Sequence, residues 1–110
     1  MEKQFNMQHL HIYSKENIDA LIVKRDGETK FGEHIQTISS SENITTQIKN
    51  STANYVLIGV PEDIGVKMNR GIGGAHTAWK VALQSLCNIQ ENDYNQGNNL
   101  LVLGHLDFPL

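Results

Sequence analysis

The chain has 110 residues and a formal net charge of −3, with 39% hydrophobic and 6% aromatic residues. One domain with a modest core fits this length. The weak negative charge and the lack of a basic cluster argue against a surface that follows nucleic-acid phosphates. No apolar run approaches the roughly 20 residues that cross a bilayer, and no signal-peptide core follows the N-terminus, so we expect a cytoplasmic protein.

A short helix is predicted near the start of the polar first half of the chain, residues 1–53. Ser14 has a side chain that can cap a helix over residues 15–24. The apolar residues of that segment recur at helical spacing and form one stripe: Ile18, Leu21 and Ile22. Asp26-Gly27 then predicts a turn after the helix.

A second helix is predicted before the middle of the chain. Ser39 and Glu42 have the spacing of a capping box, in which each side chain satisfies a free amide at the N-terminus of a helix. This helix would reach about Lys49 and offers only Ile44 and Ile48 as a buried face. We therefore expect docking against the rest of the protein to stabilise it.

The second half, residues 54–110, has a strand–helix–strand pattern. Residues 55–60 and 100–104 are continuous apolar runs, which are typical of strands buried on both faces of a parallel sheet. Between them, apolar residues recur at the spacing of a wide helical face: Ala75, Ala78, Trp79, Ala82, Leu83 and Leu86. The pattern predicts an α/β fold with one βαβ unit.

A glycine-rich loop, residues 61–74, follows the first of these strands. It leaves the carboxyl end of a strand, where α/β sheets usually bind their ligands. Gly71, Gly73 and Gly74 permit close backbone approach before a helix, and Arg70 could grip a carboxylate, so an anion site is one interpretation. An ordered turn with a solvated Arg70 is the other. The full G-x-G-x-x-G pattern is missing, which disfavours a dinucleotide site.

His105 and Asp107 follow the second strand. They lie two residues apart, so their side chains point to the same side of an extended chain. The pair could begin a metal site with His76, but nothing completes a coordination sphere. We favour a hydrogen-bonded strand end instead, and we expect His9 and His11 at the surface.

The remaining reactive side chains predict no chemistry. Cys87 is the only cysteine and falls on the predicted helix, so we expect a small core residue rather than a nucleophile. Glu62 and Asp63 are adjacent acids of the loop without a partner base. We expect them to be solvated and assign them no acid–base role.

Three segments of the second half follow one another in a recognisable order. They are Tyr55-Val-Leu-Ile-Gly-Val-Pro-Glu-Asp-Ile-Gly-Val66, Asn69-Arg-Gly-Ile-Gly-Gly-Ala-His-Thr-Ala-Trp79 and Leu103-Gly-His-Leu-Asp-Phe108. Their order and spacing, over about residues 54–108, resemble the opening of the ureohydrolase superfamily of arginases, agmatinases and formimidoylglutamases. The formimidoylglutamase-like bacterial branch is the most similar.

The resemblance implies the N-terminal βαβ part of a three-layer α/β/α arginase-like fold with a parallel sheet, so that residues 1–110 form a single partial domain. For the full-length enzymes it implies two manganese ions, whose bridging hydroxide attacks the guanidino or formimino carbon of a small substrate. The family's ligand motifs, G-G-x-H, D-A-H-x-D and S-x-D-x-D, do not occur here in their places. Gly73-Gly-Ala-His76 imitates the first motif but precedes the first helix, and His105-Leu-Asp107 does not match the second.

We therefore expect neither a metal ligand nor a catalytic residue in this chain, which would be a truncated relative or a fragment of a longer protein. The expected substrate-side residues are Asn69, Arg70, Gly71, Gly73 and Gly74. A different interpretation is a non-catalytic module that self-associates through a bare sheet edge. A third is an anion-binding βα module centred on residues 71–75. None of the three implies a nucleic-acid or membrane partner.

Overall fold

A three-stranded mixed sheet organises the part of the chain that the computed structural model describes, residues 9–61 and 75–107. Its strands are β1 (Leu10–Ile12), β2 (Tyr55–Gly59) and β3 (Leu100–Leu106), in the spatial order β1-β3-β2. β2 and β3 are parallel, as the apolar runs predict. The prediction of a parallel sheet is wrong for β1, which pairs antiparallel with β3.

β1 is absent from the sequence prediction because it is too short to show a clear alternation. It has three residues, of which Leu10 and Ile12 pack on one side of the sheet. His11 therefore projects to the other side, opposite its register partner His105. The polar first half of the chain thus contributes a strand as well as helices.

Four helices surround the sheet in the described part of the chain. They are α1 (Lys15–Asp19), α2 (Phe31–His34), α3 (Ile44–Asn50) and α4 (Ala75–Cys87), and a single 3₁₀ turn (Gly97–Asn99) precedes β3. Within the described residues, no helix has both the length and the apolar character needed to cross a bilayer.

β3 is the centre of the core. Its residues alternate between two clusters, Val102 on one side and Leu101 and Leu103 on the other, and all three are buried. One cluster comprises Tyr13, Ile18, Ile35, Leu83, Cys87 and Val102, and the other comprises Ile38, Ile44, Leu101 and Leu103. The prediction of a strand buried on both faces is confirmed for β3.

β2 does not match that prediction. Tyr55 is 66% exposed, Val56 43% and Ile58 39%. β2 lies at the edge of the sheet, and α3 covers β3 but leaves Val56 and Ile58, on the same side of the sheet, open among the described residues. Tyr55 projects to the other side. One face and one edge of β2 are therefore available for further packing.

α1 begins as predicted but is shorter. The Ser14 hydroxyl accepts from the Asn17 amide, and the Asn17 side chain accepts from the Ser14 amide, which completes a capping box. The helix ends at Asp19 because the Asn88 side chain donates to the Leu21 carbonyl and accepts from the Val23 amide. Both backbone groups are thereby satisfied outside a helix.

The capping box predicted at Ser39 and Glu42 is wrong. The Ser39 amide and hydroxyl both donate to the Gln47 side-chain oxygen, and Asn43 precedes α3 without a side-chain cap. The predicted buried face is confirmed, because Ile44 is buried and Ile48 packs beside it.

α4 matches its predicted face only in part. Trp79, Leu83 and Leu86 pack against the cluster around Val102, and Cys87 is fully buried there. Ala78 and Ala82 are exposed, because no described element covers that side of the helix. The side chain of Ala75 lies outside the described part.

Candidate functional site

A bulge in β3 decides the side of the sheet to which the His105 side chain projects. Leu57 is paired with Val102 and Ile58 with Gly104, so Leu103 is an extra residue on β3. An extra residue reverses the side to which the following side chains project. His105 therefore shares the side of Val102 and Tyr13, where a regular strand would have placed it beside Leu101 and Leu103.

Gly104 makes this bulge possible. It has a φ of +152°, and a Cβ at this position would overlap the backbone carbonyl oxygen of His11 on β1. Glycine alone avoids that overlap. The close approach of β1 brings His11 over His105, with ring centroids 5.0 Å apart.

Four side chains form a chain of hydrogen bonds, which we call the relay: Trp79, Tyr13, His105 and Asp107. The Trp79 indole N–H donates to the Tyr13 hydroxyl over 2.8 Å. The Tyr13 hydroxyl and His105 Nδ1 are 2.5 Å apart. His105 Nε2 and the Asp107 carboxylate are 3.0 Å apart.

The groups at the two ends of the relay determine which atom donates in each of its hydrogen bonds. An indole N–H can only donate and an ionised carboxylate can only accept. The Tyr13 O–H therefore donates to His105 Nδ1, and the His105 proton lies on Nε2, where it bonds to Asp107. All four groups are satisfied by one tautomer.

Tyr13 remains protonated in this arrangement. Burial raises the pKa of its phenol above the usual 10.0, the hydrogen bond from Trp79 opposes this, and the charge of Asp107 adds to it. A neutral phenol is the donor that the relay requires.

Gly59 holds the indole in place. A Cβ on this β2 residue would overlap the Trp79 ring, so the indole lies directly against the backbone of Gly59. This contact fixes α4 against the carboxyl end of β2 and directs the indole N–H toward Tyr13. The sequence shows a glycine at the end of a strand, but not what lies over it.

A cavity of about 310 Å³ lies beside the relay, at the carboxyl ends of β2 and β3. All four relay residues line it, together with Pro61, Lys80 and Leu106. Ligands of α/β sheets usually bind at this end of the strands. The cavity combines an aromatic wall with a carboxylate, a phenol and an ammonium group.

The predicted substrate-side residues Asn69, Arg70, Gly71, Gly73 and Gly74 lie outside the described residues, as do Glu62, Asp63 and the side chain of His76. His105 and Asp107 form the hydrogen-bonded pair that their spacing predicts. His9 and His11 are exposed, as predicted. The sequence did not indicate the role of Tyr13, which is 92 residues from His105 along the chain.

A second histidine–carboxylate pair serves the fold. The His34 ring is 2.8 Å from the Glu91 carboxylate, which also accepts from the Gly97 amide over 2.7 Å. These bonds tie α2 to the turn before β3. Because both Glu91 oxygens are engaged, we assign this pair no ligand.

Cys87 is the core residue that the sequence predicts. It is fully buried, and burial raises the pKa of its thiol to about 11. We expect native protein at about pH 8 to resist a disulfide reagent, since only an accessible thiolate reacts. Measurement of thiol release with and without denaturant checks this, and a Cys87→Ala, Ser85→Cys variant, with its thiol on the exposed side of α4, is the fast-reacting control.

Comparison with known proteins gives no relative for this chain. No family model, no curated protein and no solved structure matches it. Within the described residues, no group of three or more His, Cys, Asp or Glu side chains is arranged to hold a metal ion.

Proposed function

We propose that this chain is the N-terminal segment of a manganese-dependent hydrolase of the ureohydrolase type, closest to the formimidoylglutamase-like branch. In this proposal the chain forms the first part of a three-layer α/β/α fold in a cytoplasmic enzyme. It contributes no metal ligand. The main support for the proposal is that β2 has an unpaired edge and an uncovered face among the described residues. A strand with Val56 and Ile58 exposed needs further layers to cover it.

The position of the cavity supports the same proposal. It opens at the carboxyl ends of β2 and β3, and Pro61 in its wall begins the glycine-rich loop. In the proposed enzyme, Asn69 and Arg70 of that loop would face a guanidino or formimino substrate. Residues outside this sequence would hold the manganese ions, and the metal ions would supply the hydroxide nucleophile from bound water.

The reading frame downstream of Leu110 gives the decisive test of this proposal. We expect it to encode the G-G-x-H, D-A-H-x-D and S-x-D-x-D motifs. We also expect the extended protein, loaded with manganese, to release urea, ammonia or formamide from arginine, agmatine or formiminoglutamate. The 110-residue chain should release none of them. A stop codon after Leu110, or stoichiometric manganese in the purified 110-residue chain, would contradict the proposal.

A second candidate function, a non-catalytic module that pairs with a second copy of itself, is favoured by the composition of β2. Tyr55-Val-Leu-Ile-Gly59 contains neither a charge nor a proline, the devices that usually protect an edge strand. Its outer backbone groups could pair with the same strand of another copy around a two-fold axis.

Under this second function, Val56→Lys is expected to weaken self-association about ten-fold or more, because each copy would bring a like charge to the paired edges. Sedimentation velocity over a range of protein concentrations measures the change. Val23→Lys, at a 58% exposed site away from the sheet, is the matched control and should leave association unchanged. A wild-type chain that stays monomeric at high concentration would remove this candidate.

A further inference from the structure

Lys80 brings a positive charge to the cavity beside the relay. It follows Trp79 on α4 and lines the same cavity as Tyr13 and His105. Among the described residues, its ammonium group has neither a hydrogen bond nor an ion pair with a protein side chain. A charge at the rim of a cavity without a protein partner is available to a ligand.

The relay has a second arrangement when His105 takes up a proton from solvent. Both ring nitrogens of an imidazolium are donors. Nε2 keeps its bond to Asp107, whereas Nδ1 now donates to the Tyr13 oxygen, which also accepts from Trp79. Both lone pairs of that oxygen are then used, so the Tyr13 O–H must point elsewhere.

The cavity is the space to which this hydroxyl can turn. Tyr13 is buried, and its ring lines the cavity with Lys80. A phenol O–H turned into the cavity and the ammonium group of Lys80, a residue that lines the same cavity, are groups that bind a carboxylate. Trp79, Pro61 and Leu106 offer an apolar wall for the rest of such a ligand.

We propose that this cavity binds small organic carboxylates with an apolar body, and that proton uptake by His105 strengthens the binding by turning the Tyr13 hydroxyl toward the ligand. The site stands independently of the ureohydrolase relationship, since none of its residues is a proposed metal ligand and the two groups that bind the carboxylate, Tyr13 and Lys80, lie outside the glycine-rich loop.

The charged groups around His105 are consistent with this switch. Asp107, at the end of β3, forms an ion pair with the imidazolium and offsets its charge. His11 of β1 stacks on the ring, and Lys80 of α4 lines the cavity; both oppose a further positive charge when they are protonated. The Asp107 carboxylate also repels an anion, so the Lys80 charge is needed for binding.

Benzoate is a suitable probe, and the indole N–H resonance of Trp79, the only tryptophan, is a specific reporter. We expect benzoate to shift this resonance and to bind at least about ten-fold more tightly at about pH 5.5 than at about pH 8, across the range in which histidines titrate. Benzamide, the neutral analogue, should show no such pH dependence.

Single substitutions test whether Lys80, Tyr13 and His105 are responsible for benzoate binding and its pH dependence. Lys80→Met and Tyr13→Phe should each weaken benzoate binding about ten-fold at the lower pH, the effect of one charge-assisted interaction. His105→Gln should abolish the pH dependence. Lys49→Met makes the same charge change on the exposed side of α3 and should have no effect.

Three results would overturn the proposal: no shift with benzoate, equal affinity at both pH values, or full binding by Lys80→Met. Because Lys80 is exposed, its variant is expected to fold even if Tyr13→Phe does not. Circular dichroism at both pH values checks that each variant keeps its fold.

Discussion

Gly104→Ala is expected to lower the free energy of unfolding by about 3 kcal/mol or more. The added Cβ would overlap the His11 carbonyl oxygen, and the backbone conformation itself disfavours a side chain. Relief of the overlap requires β1 to move away from β3, which separates Tyr13 from His105. Chemical denaturation followed by circular dichroism measures the loss.

Gly27→Ala separates the two causes. Gly27 also has a positive φ, +79°, but a Cβ there would meet nothing within 4 Å. We expect this control to cost only the backbone strain, about 1–2 kcal/mol. Equal losses of unfolding free energy in the two variants would show that the close approach of β1 to Gly104 adds nothing to the cost of the Gly104 substitution.

Gly59→Ala is expected to displace the Trp79 indole and to cost about 1–3 kcal/mol, the usual effect of overpacking. The hydrogen bond from the indole to Tyr13 should break with it. A shift of the Trp79 fluorescence maximum, together with a lower denaturation midpoint, reports both events.

A double-mutant cycle supplies the control for Gly59. If the cost arises from the indole, Gly59→Ala should be nearly neutral once Trp79 is replaced by alanine. The same loss in both backgrounds would show that the glycine matters for a reason other than its contact with Trp79.

The sequence was informative about the second half of the chain because apolar runs report burial directly. The runs predict β2 and β3, the helical periodicity predicts α4, and Ser14 predicts the start of α1. The periodicity does not say how many layers cover each face. Ala78, Ala82 and Val56 were therefore expected in the core and are exposed.

The first half was harder to predict because its structure depends on distant partners. β1 exists because Leu10 and Ile12 complete a cluster on the far side of β3. Asn88, 65 residues from Val23, ends α1 early. Ser39 bonds to Gln47 instead of capping a helix. None of these contacts can be predicted from the spacing of residues that are close together in the chain.

Half of the relay could be predicted. The spacing of His105 and Asp107 predicts their hydrogen bond, whereas Tyr13 and Trp79 join it only through tertiary structure. The extra residue at Leu103 is decisive, because it moves His105 to the side of Tyr13. An apolar run followed by glycine and histidine gives no sign of a bulge.

The central claim is a single directed chain of hydrogen bonds from Trp79 to Asp107. Determining the tautomer of His105 tests this claim most directly. A long-range ¹H–¹⁵N NMR spectrum at about pH 8 distinguishes the two ring nitrogens. We predict a proton fixed on Nε2 and an unprotonated Nδ1 that accepts from Tyr13. A proton on Nδ1, or a mixture of tautomers like that of a free histidine, would contradict the relay and the switch built on it.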